Sequence, residues 1–202
     1  MNAIELFNNP FIYSQMNIEQ KIEFLQQNLN KPIVFVGFMG AGKTSIGQAI
    51  ANVMEGVFVD SDHVVAQEEG CTLPELFEDK GEAYFAEKEK EAIIRLISDE
   101  GVKVIGTGGR AFLHDIGRQV ILDKAVSIFL KADFDVLRAR LGDCAERPTF
   151  KGKNINETLD QLIGQRYPIY KQADIAVETK DEPLQETLNR VIESLYSHLT
   201  EG

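Results

Sequence analysis

At 202 residues, with 44% hydrophobic and 26% charged residues, the chain is long enough for one ordinary globular domain and too mixed for a fibrous or disordered one. The formal charge of −11 argues against a general nucleic-acid or anionic-membrane binder, because a phosphate-rich surface would repel it overall. No apolar run reaches the length of a membrane span, and the N-terminus lacks a basic start followed by an apolar stretch, so a cytoplasmic, monomeric protein with free thiols at Cys71 and Cys144 is expected.

Residues 1–30 form a polar leader rich in Asn and Gln, with a short helix expected over 18–25, where Ile18, Ile22 and Leu25 share one face. The domain proper is expected over 31–202. Short runs rich in β-branched residues predict buried strands at 33–36, 57–59, 102–105, 125–130 and 175–177. Between and after them, helical patterns occupy 43–54, 82–98, 133–141, 157–165 and 183–199, the last opening on Pro183. This alternation predicts an α/β fold: a five-stranded, mostly parallel sheet with helices on both faces. In such sheets ligands sit outside the carboxyl ends of the strands, so the residues after each strand are where chemistry is sought.

After the first strand comes Gly37-Phe38-Met39-Gly40-Ala41-Gly42-Lys43-Thr44, which satisfies G-x-x-x-x-G-K-[ST] at every fixed position and leads into a helix. Glycines let the loop curl so that backbone N–H groups converge, and the helix adds its positive end. Gly40, Ala41, Gly42, Lys43, Thr44 and Ser45 are therefore the expected ATP phosphate site, Lys43 reaching the outer phosphates and Thr44 holding Mg²⁺. The second strand delivers Asp60-Ser61-Asp62 to the same rim; either the two carboxylates point to opposite sides of an extended segment, one toward the metal and one toward an acceptor hydroxyl, or they are surface loop residues or a cap for the helix that follows. The third ends in Gly106-Thr107-Gly108-Gly109-Arg110, where the glycine pair allows either close approach to a ligand or simply a tight turn. Beyond the fourth, Arg140 and Arg147 bracket a glycine-flanked charged segment, residues 142–154, with the composition of a mobile lid. Arg166 falls at the expected end of a helix, where it either serves a ligand or completes the helix terminus.

In order, the chain carries G-F-M-G-A-G-K-T, D-S-D, G-E-A-Y-F, G-T-G-G, R-P and R-Y-P-I-Y. This set resembles the shikimate kinase family over residues 32–177. The resemblance implies a three-layer P-loop kinase fold and ATP- and Mg²⁺-dependent phosphorylation of the 3-hydroxyl of shikimate, a step of aromatic amino acid biosynthesis. Carried over by position, Lys43 neutralises the transferring group, Thr44 ligates Mg²⁺ and Asp60 supports its shell through water. Asp62 orients or deprotonates the acceptor hydroxyl, Gly108 and Gly109 line the substrate site, and Arg166 binds the substrate carboxylate. Arg140 flanks adenine and Arg147 is the catalytic lid arginine.

Two positions depart from the family pattern. Ala86 stands where an arginine shares the carboxylate with the one at Arg166, and Arg110 replaces a third glycine. Glu89, the partner of that missing arginine, is kept. Loss of one charge-assisted contact costs roughly 1.5–3 kcal/mol, or about one to two powers of ten in affinity. Either Arg110 fills the vacancy and pairs with Glu89, or the pocket takes a different hydroxylated metabolite, or the chain is a nucleotide-binding pseudoenzyme. The complete set of phosphoryl-transfer groups favours a working kinase. A GTPase is disfavoured by the absence of D-x-x-G after the third strand and of N-K-x-D, and D-S-D in place of an arginine-rich site disfavours a nucleoside monophosphate kinase.

Overall fold

The computed structural model describes residues 16–99, 104–142 and 149–201. Five strands, β1 (Ile33–Val36), β2 (Phe58–Asp60), β3 (Val104–Gly106), β4 (Val126–Ala132) and β5 (Ile175–Thr179), form one parallel sheet in the order β2-β3-β1-β4-β5. The residues Ile33 to Val36 and Ile128 to Leu130 are fully buried or nearly so, which is why these strands read as continuous apolar runs rather than alternating ones. Around the sheet stand α1 (Ile18–Asn28), α2 (Lys43–Val53), α3 (Ser61–Glu69), α4 (Leu73–Ser98), α5 (Asp115–Lys124), α6 (Phe134–Leu141), α7 (Ile155–Tyr170) and α8 (Leu184–Glu201).

The chain steps one way from β1 to β2 and the opposite way from β2 through β3 and β4 to β5. With right-handed crossovers, α2 covers one face and α3 to α7 cover the other. The last helix, α8, returns to pack on α2 and β5. This reversal makes neighbouring β1 and β3 the topological switch point, so the loops that leave their carboxyl ends define the ligand crevice. The Phe58 ring locks the arrangement by occupying space that two absent side chains leave. A Cβ at Gly47 of α2 would stand 2.3 Å from its Cε2, and one at Gly106 of β3 would stand 2.8 Å from its Cζ.

The described part of the leader joins this core. Asn17 and Gln20 cap α1 reciprocally, Leu25 is fully buried, and Phe24 meets the ring of Tyr196 on α8 edge-on at 5.2 Å. Three helical features exceed what the pattern predicts. Helices α3 and α5 are not among the helices given bounds above, although Glu68 and Glu69 read as a solvated helix face, and α4 starts at Leu73, capped by Thr72 and Glu75, rather than at residue 82. Gly81, at φ 80° and ψ 173°, breaks α4 into two halves, of which the second is the predicted one. Helix α7 runs through Pro168 to Tyr170 instead of stopping at 165. A proline at that point removes a single N–H bond and bends the helix without ending it. Arg166 therefore lies inside α7, not at its terminus.

Candidate active site

The loop after β1 turns through three glycines with positive φ: Gly37 at 137°, Gly40 at 80° and Gly42 at 97°. Only glycine adopts these angles without strain, and the turn aims the start of α2 into an open cavity of about 550 Å³. Gly40, Ala41, Gly42, Lys43, Thr44, Ser45, Asp60 and Arg140 all line it, as the sequence predicts, together with Thr179, Glu182 and Leu184 from the far rim. The Lys43 ammonium donates to the carbonyls of Gly37 at 2.9 Å and Phe38 at 2.8 Å. Burial lowers its pKa to about 8, against the opposing pull of Asp62, Asp60 and Glu89. A lysine held by its own loop in this way is placed to exchange carbonyls for phosphate oxygens. Arg140 holds the rim by donating to the carbonyls of Gly40 at 3.3 Å and Ala41 at 3.5 Å and to the Thr179 hydroxyl at 3.4 Å.

The Thr44 hydroxyl lies 3.3 Å from Asp60 Oδ2. A hydroxyl and a carboxylate at the mouth of a phosphate loop are hard oxygen ligands, and they fit Mg²⁺ held partly through water. The other Asp60 oxygen accepts from the Asp62 N–H at 3.1 Å and so caps α3. Of the two readings of D-S-D the structure shows the helix cap: Asp60 ends the strand and Asp62 sits in the first helical turn, which separates the two carboxylates by a change of element rather than by strand alternation.

A second cavity, of about 750 Å³, opens beside the first. Met39, Asp62, Gly108 and Gly109 line both, so Asp62 stands at the junction. Burial, with Asp60 adding to the rise, pushes the Asp62 carboxyl up to about 6, while Lys43 and a hydrogen bond with Glu89 hold it down. Glu89, fully buried on α4, faces Asp62 across Gly108. A Cβ at Gly108 would fall 2.3 Å from Asp62 Oδ1 and 2.4 Å from Glu89 Oε1, so a larger residue there must push the two carboxyls out of place. At Gly109 the nearest atoms would be 3.8 Å away, an ordinary contact. Burial and the neighbouring Asp62 carboxylate drive the Glu89 pKa well above the usual carboxylate range. Two buried carboxyls in contact are best accommodated with one proton between them. Glu89 does not line the cavity; it backs Asp62.

The far wall carries the two arginines. Arg166, 7% exposed, lies over the Phe38 ring at 5.3 Å and leaves its Nη1 buried without a hydrogen-bonding protein partner. Arg110, on the turn after β3, lines the same cavity. Burial and the Arg166 charge lower its pKa from the ordinary arginine value, yet guanidinium remains charged throughout the working range. The expected pairing of Arg110 with Glu89 does not form: Arg110 makes an ion pair with Glu82, the first residue beyond the Gly81 break. Glu82 is largely exposed and can turn outward, whereas Glu89 is sealed behind Asp62. Arg147 lies outside the described residues, as does the middle of the expected lid. Apolar residues on α4 that line the cavity, Leu73, Pro74, Phe77 and Phe85, escape sequence reasoning because apolar side chains on a helix read as core; Phe77 and Phe85 do pack together, at 4.7 Å between ring centres.

A glycine loop with its lysine, a hydroxyl–carboxylate pair for a divalent cation, and an adjoining cavity with one carboxylate at the junction define a P-loop phosphotransferase acting on a small molecule. Comparison with known proteins gives the family. The shikimate kinase family model matches residues 39–196. The chain is 41% identical over 167 residues to shikimate kinase of Cereibacter sphaeroides, covering 83% of each chain. It is 36% identical over 180 residues to that of Rhodopseudomonas palustris, covering 89% of this chain and 88% of the relative. Among solved structures, shikimate kinase from Acinetobacter baumannii in complex with shikimate superposes with a TM-score of 0.80 at 26% identity, covering 87% of this chain and 97% of that one. The enzyme from Aquifex aeolicus gives 0.75 at 32% identity, covering 85% and 99%. The chain belongs to the shikimate kinase family.

Proposed function

We propose that the protein transfers the γ-phosphoryl group of ATP to the 3-hydroxyl of shikimate, with Asp62 at the junction of the two cavities as the observation that carries the reading. The nucleotide enters beside Gly40 to Ser45, with Arg140 at the adenine rim, and Lys43 leaves the Gly37 and Phe38 carbonyls for its phosphates. Thr44 directly, and Asp60 through water, would hold Mg²⁺, which supplies charge neutralisation between the phosphates. Shikimate occupies the larger cavity, with its carboxylate between Arg110 and Arg166 and its ring beside Met39, Gly108 and Gly109. The hydroxyl oxygen forms a bond to the γ-phosphorus as the bond to the β,γ-bridging oxygen breaks; ADP leaves, and the hydroxyl proton passes to Asp62. Glu89, carrying a proton, donates to Asp62 and keeps that carboxylate from turning away. Arg147 is assigned to the lid, over the transferring group.

The buried, unpaired Nη1 of Arg166 favours an anionic acceptor over a neutral polyol, because an unsatisfied buried donor is costly until an acceptor arrives. The placement of Lys43, Thr44, Asp60 and Asp62 around the two cavities favours a working enzyme over a silent nucleotide binder. We take the protein to act as a monomer, and the acidic composition and the free thiol of Cys71 fit the cytoplasm. The test is ADP formation from Mg-ATP with and without shikimate. Turnover that depends on shikimate is expected; ADP formation unchanged by it would remove the assignment.

A further inference from the structure

Tyr170 ends α7, one helical turn beyond Arg166, and is fully buried. Its ring packs against Phe129 of β4 at 5.3 Å and Tyr167 at 6.3 Å between centres. Those contacts account for the ring. They leave the hydroxyl, which reaches across to donate a hydrogen bond to the carbonyl of Gly109, the residue immediately before Arg110. The Arg166 guanidinium lies beside the same hydroxyl. The same turn is held by burial of Ala111 and Phe112, which also pack toward α7, and the Tyr170 hydroxyl adds a hydrogen bond from α7 to the backbone that presents Arg110. A single helix thus carries one arginine of the cavity and anchors the other.

We infer that Tyr170 is a positioning residue for recognition of the substrate carboxylate, its hydroxyl fixing the separation of Arg110 and Arg166 through the Gly109 carbonyl. This rests on the reading of those two arginines as the carboxylate-binding pair. Two guanidinium groups engage one carboxylate only when both forks reach it together, so freedom in the Arg110 turn weakens the paired contact more than any other property of the site. Tyr170 itself touches neither substrate nor nucleotide in this scheme. Its removal therefore acts on one substrate constant and not on the rest of the cycle.

The experiment compares the full-length protein with Tyr170→Phe, Arg110→Gly and the double variant, measuring KM for shikimate, KM for ATP and kcat, with thermal unfolding as a control. Tyr170→Phe keeps the ring and its packing. It is expected to raise KM for shikimate by about 3- to 10-fold, the worth of one hydrogen bond, and to leave KM for ATP and kcat within about twofold. Arg110→Gly is expected to raise KM for shikimate by about 10-fold or more, and adding Tyr170→Phe to it should change KM by less than about twofold, since the arm being positioned is gone. An acceptor analogue with the carboxylate replaced by an amide gives an internal measure: the preference for acid over amide should fall in Tyr170→Phe by the same factor as KM rises. Equal effects of Tyr170→Phe in both backgrounds, an equal rise in KM for ATP, or an unchanged acid-to-amide preference would overturn the inference. If Arg110→Gly alone leaves KM for shikimate unaltered, the arginine-pair reading falls; if it raises KM while Tyr170→Phe is silent, only the positioning role falls.

Discussion

Asp62 is largely buried, its Oδ1 has no hydrogen-bond partner among the described residues, and its carboxyl is pushed up to about 6, chiefly by burial. The unfolded chain ionises the same group near the ordinary aspartate value, so the folded state binds the proton more tightly. The sign follows: the group is neutral to stability below that ordinary value, increasingly unfavourable as pH rises through 4 to 6, and fully so above about 6. Asp62→Asn should therefore stabilise the fold at neutral pH by about 1–3 kcal/mol while lowering turnover by at least about 100-fold and sparing ATP binding. Thermal unfolding at acid and neutral pH, beside a nucleotide titration, checks all three; near-normal turnover would remove Asp62 from the mechanism. Burial lowers the Lys43 pKa to about 8, and the residue works as a cation. We expect kcat/KM to fall below about pH 6 as Asp62 protonates and above about pH 8 as Lys43 deprotonates, and a profile flat on the acid side would contradict the base role. The glycine pair gives a sharper test. Gly108→Ala forces a Cβ onto Asp62 and Glu89 and should abolish turnover, whereas Gly109→Ala meets nothing closer than 3.8 Å and should keep most of it. The sequence names both glycines, but only the buried carboxyl pair tells them apart, and that pair is assembled from residues 27 positions distant in the chain.

At the level of elements, the strands were legible because a buried parallel strand announces itself as a short β-branched run bounded by glycine or charge. The helices that escaped have little apolar face to announce. Helix α5 buries only Gly117 and Ile121, and α3 buries Ser61 and Val65 while starting directly off β2. The α7 pattern errs in the other direction, since its apolar periodicity fades at residue 165 while the helix runs on through Pro168 to Tyr170. Tertiary contact decided these cases, and it did so where the site needed it: α7 without its last turn would lose the tyrosine that grips the Arg110 turn. The Phe58 lock belongs to this scale too. Gly47→Ala gains up to about 1 kcal/mol of helix propensity, yet the overlap with the Phe58 ring opposes it, and overpacking typically costs about 1–3 kcal/mol. We expect net destabilisation in denaturant titration, relieved when Phe58→Leu is added; a more stable Gly47→Ala protein would show that the ring moves aside freely.

Across the whole molecule, a chain of net charge −11 must bind two anions, and it does so by gathering cations at one edge of the sheet. Lys43, Arg110, Arg140 and Arg166 reach that edge from α2, the turn after β3, α6 and α7. Overall acidity and local positive potential coexist because the placement of these side chains, with Lys153 on the larger cavity, weighs more in the two cavities than the net charge does. The fold class, the phosphate loop and the D-S-D carboxylates could be read from the chain because each is a local pattern. The partner of Arg110 could not, because Glu82 and Glu89 lie on one helix and only the break at Gly81 turns the first toward the arginine while Asp62 seals in the second. The joined cavities make one claim above all, that phosphorus leaves ATP at Lys43 and arrives on an acceptor hydroxyl at Asp62. Phosphorus-31 NMR of a reaction with Mg-ATP and shikimate tests it most directly. The account predicts a phosphate monoester on the 3-hydroxyl, formed in step with ADP and missing from Lys43→Ala and Asp62→Asn; ADP accompanied by inorganic phosphate alone, or a monoester that persists in Asp62→Asn, would contradict it.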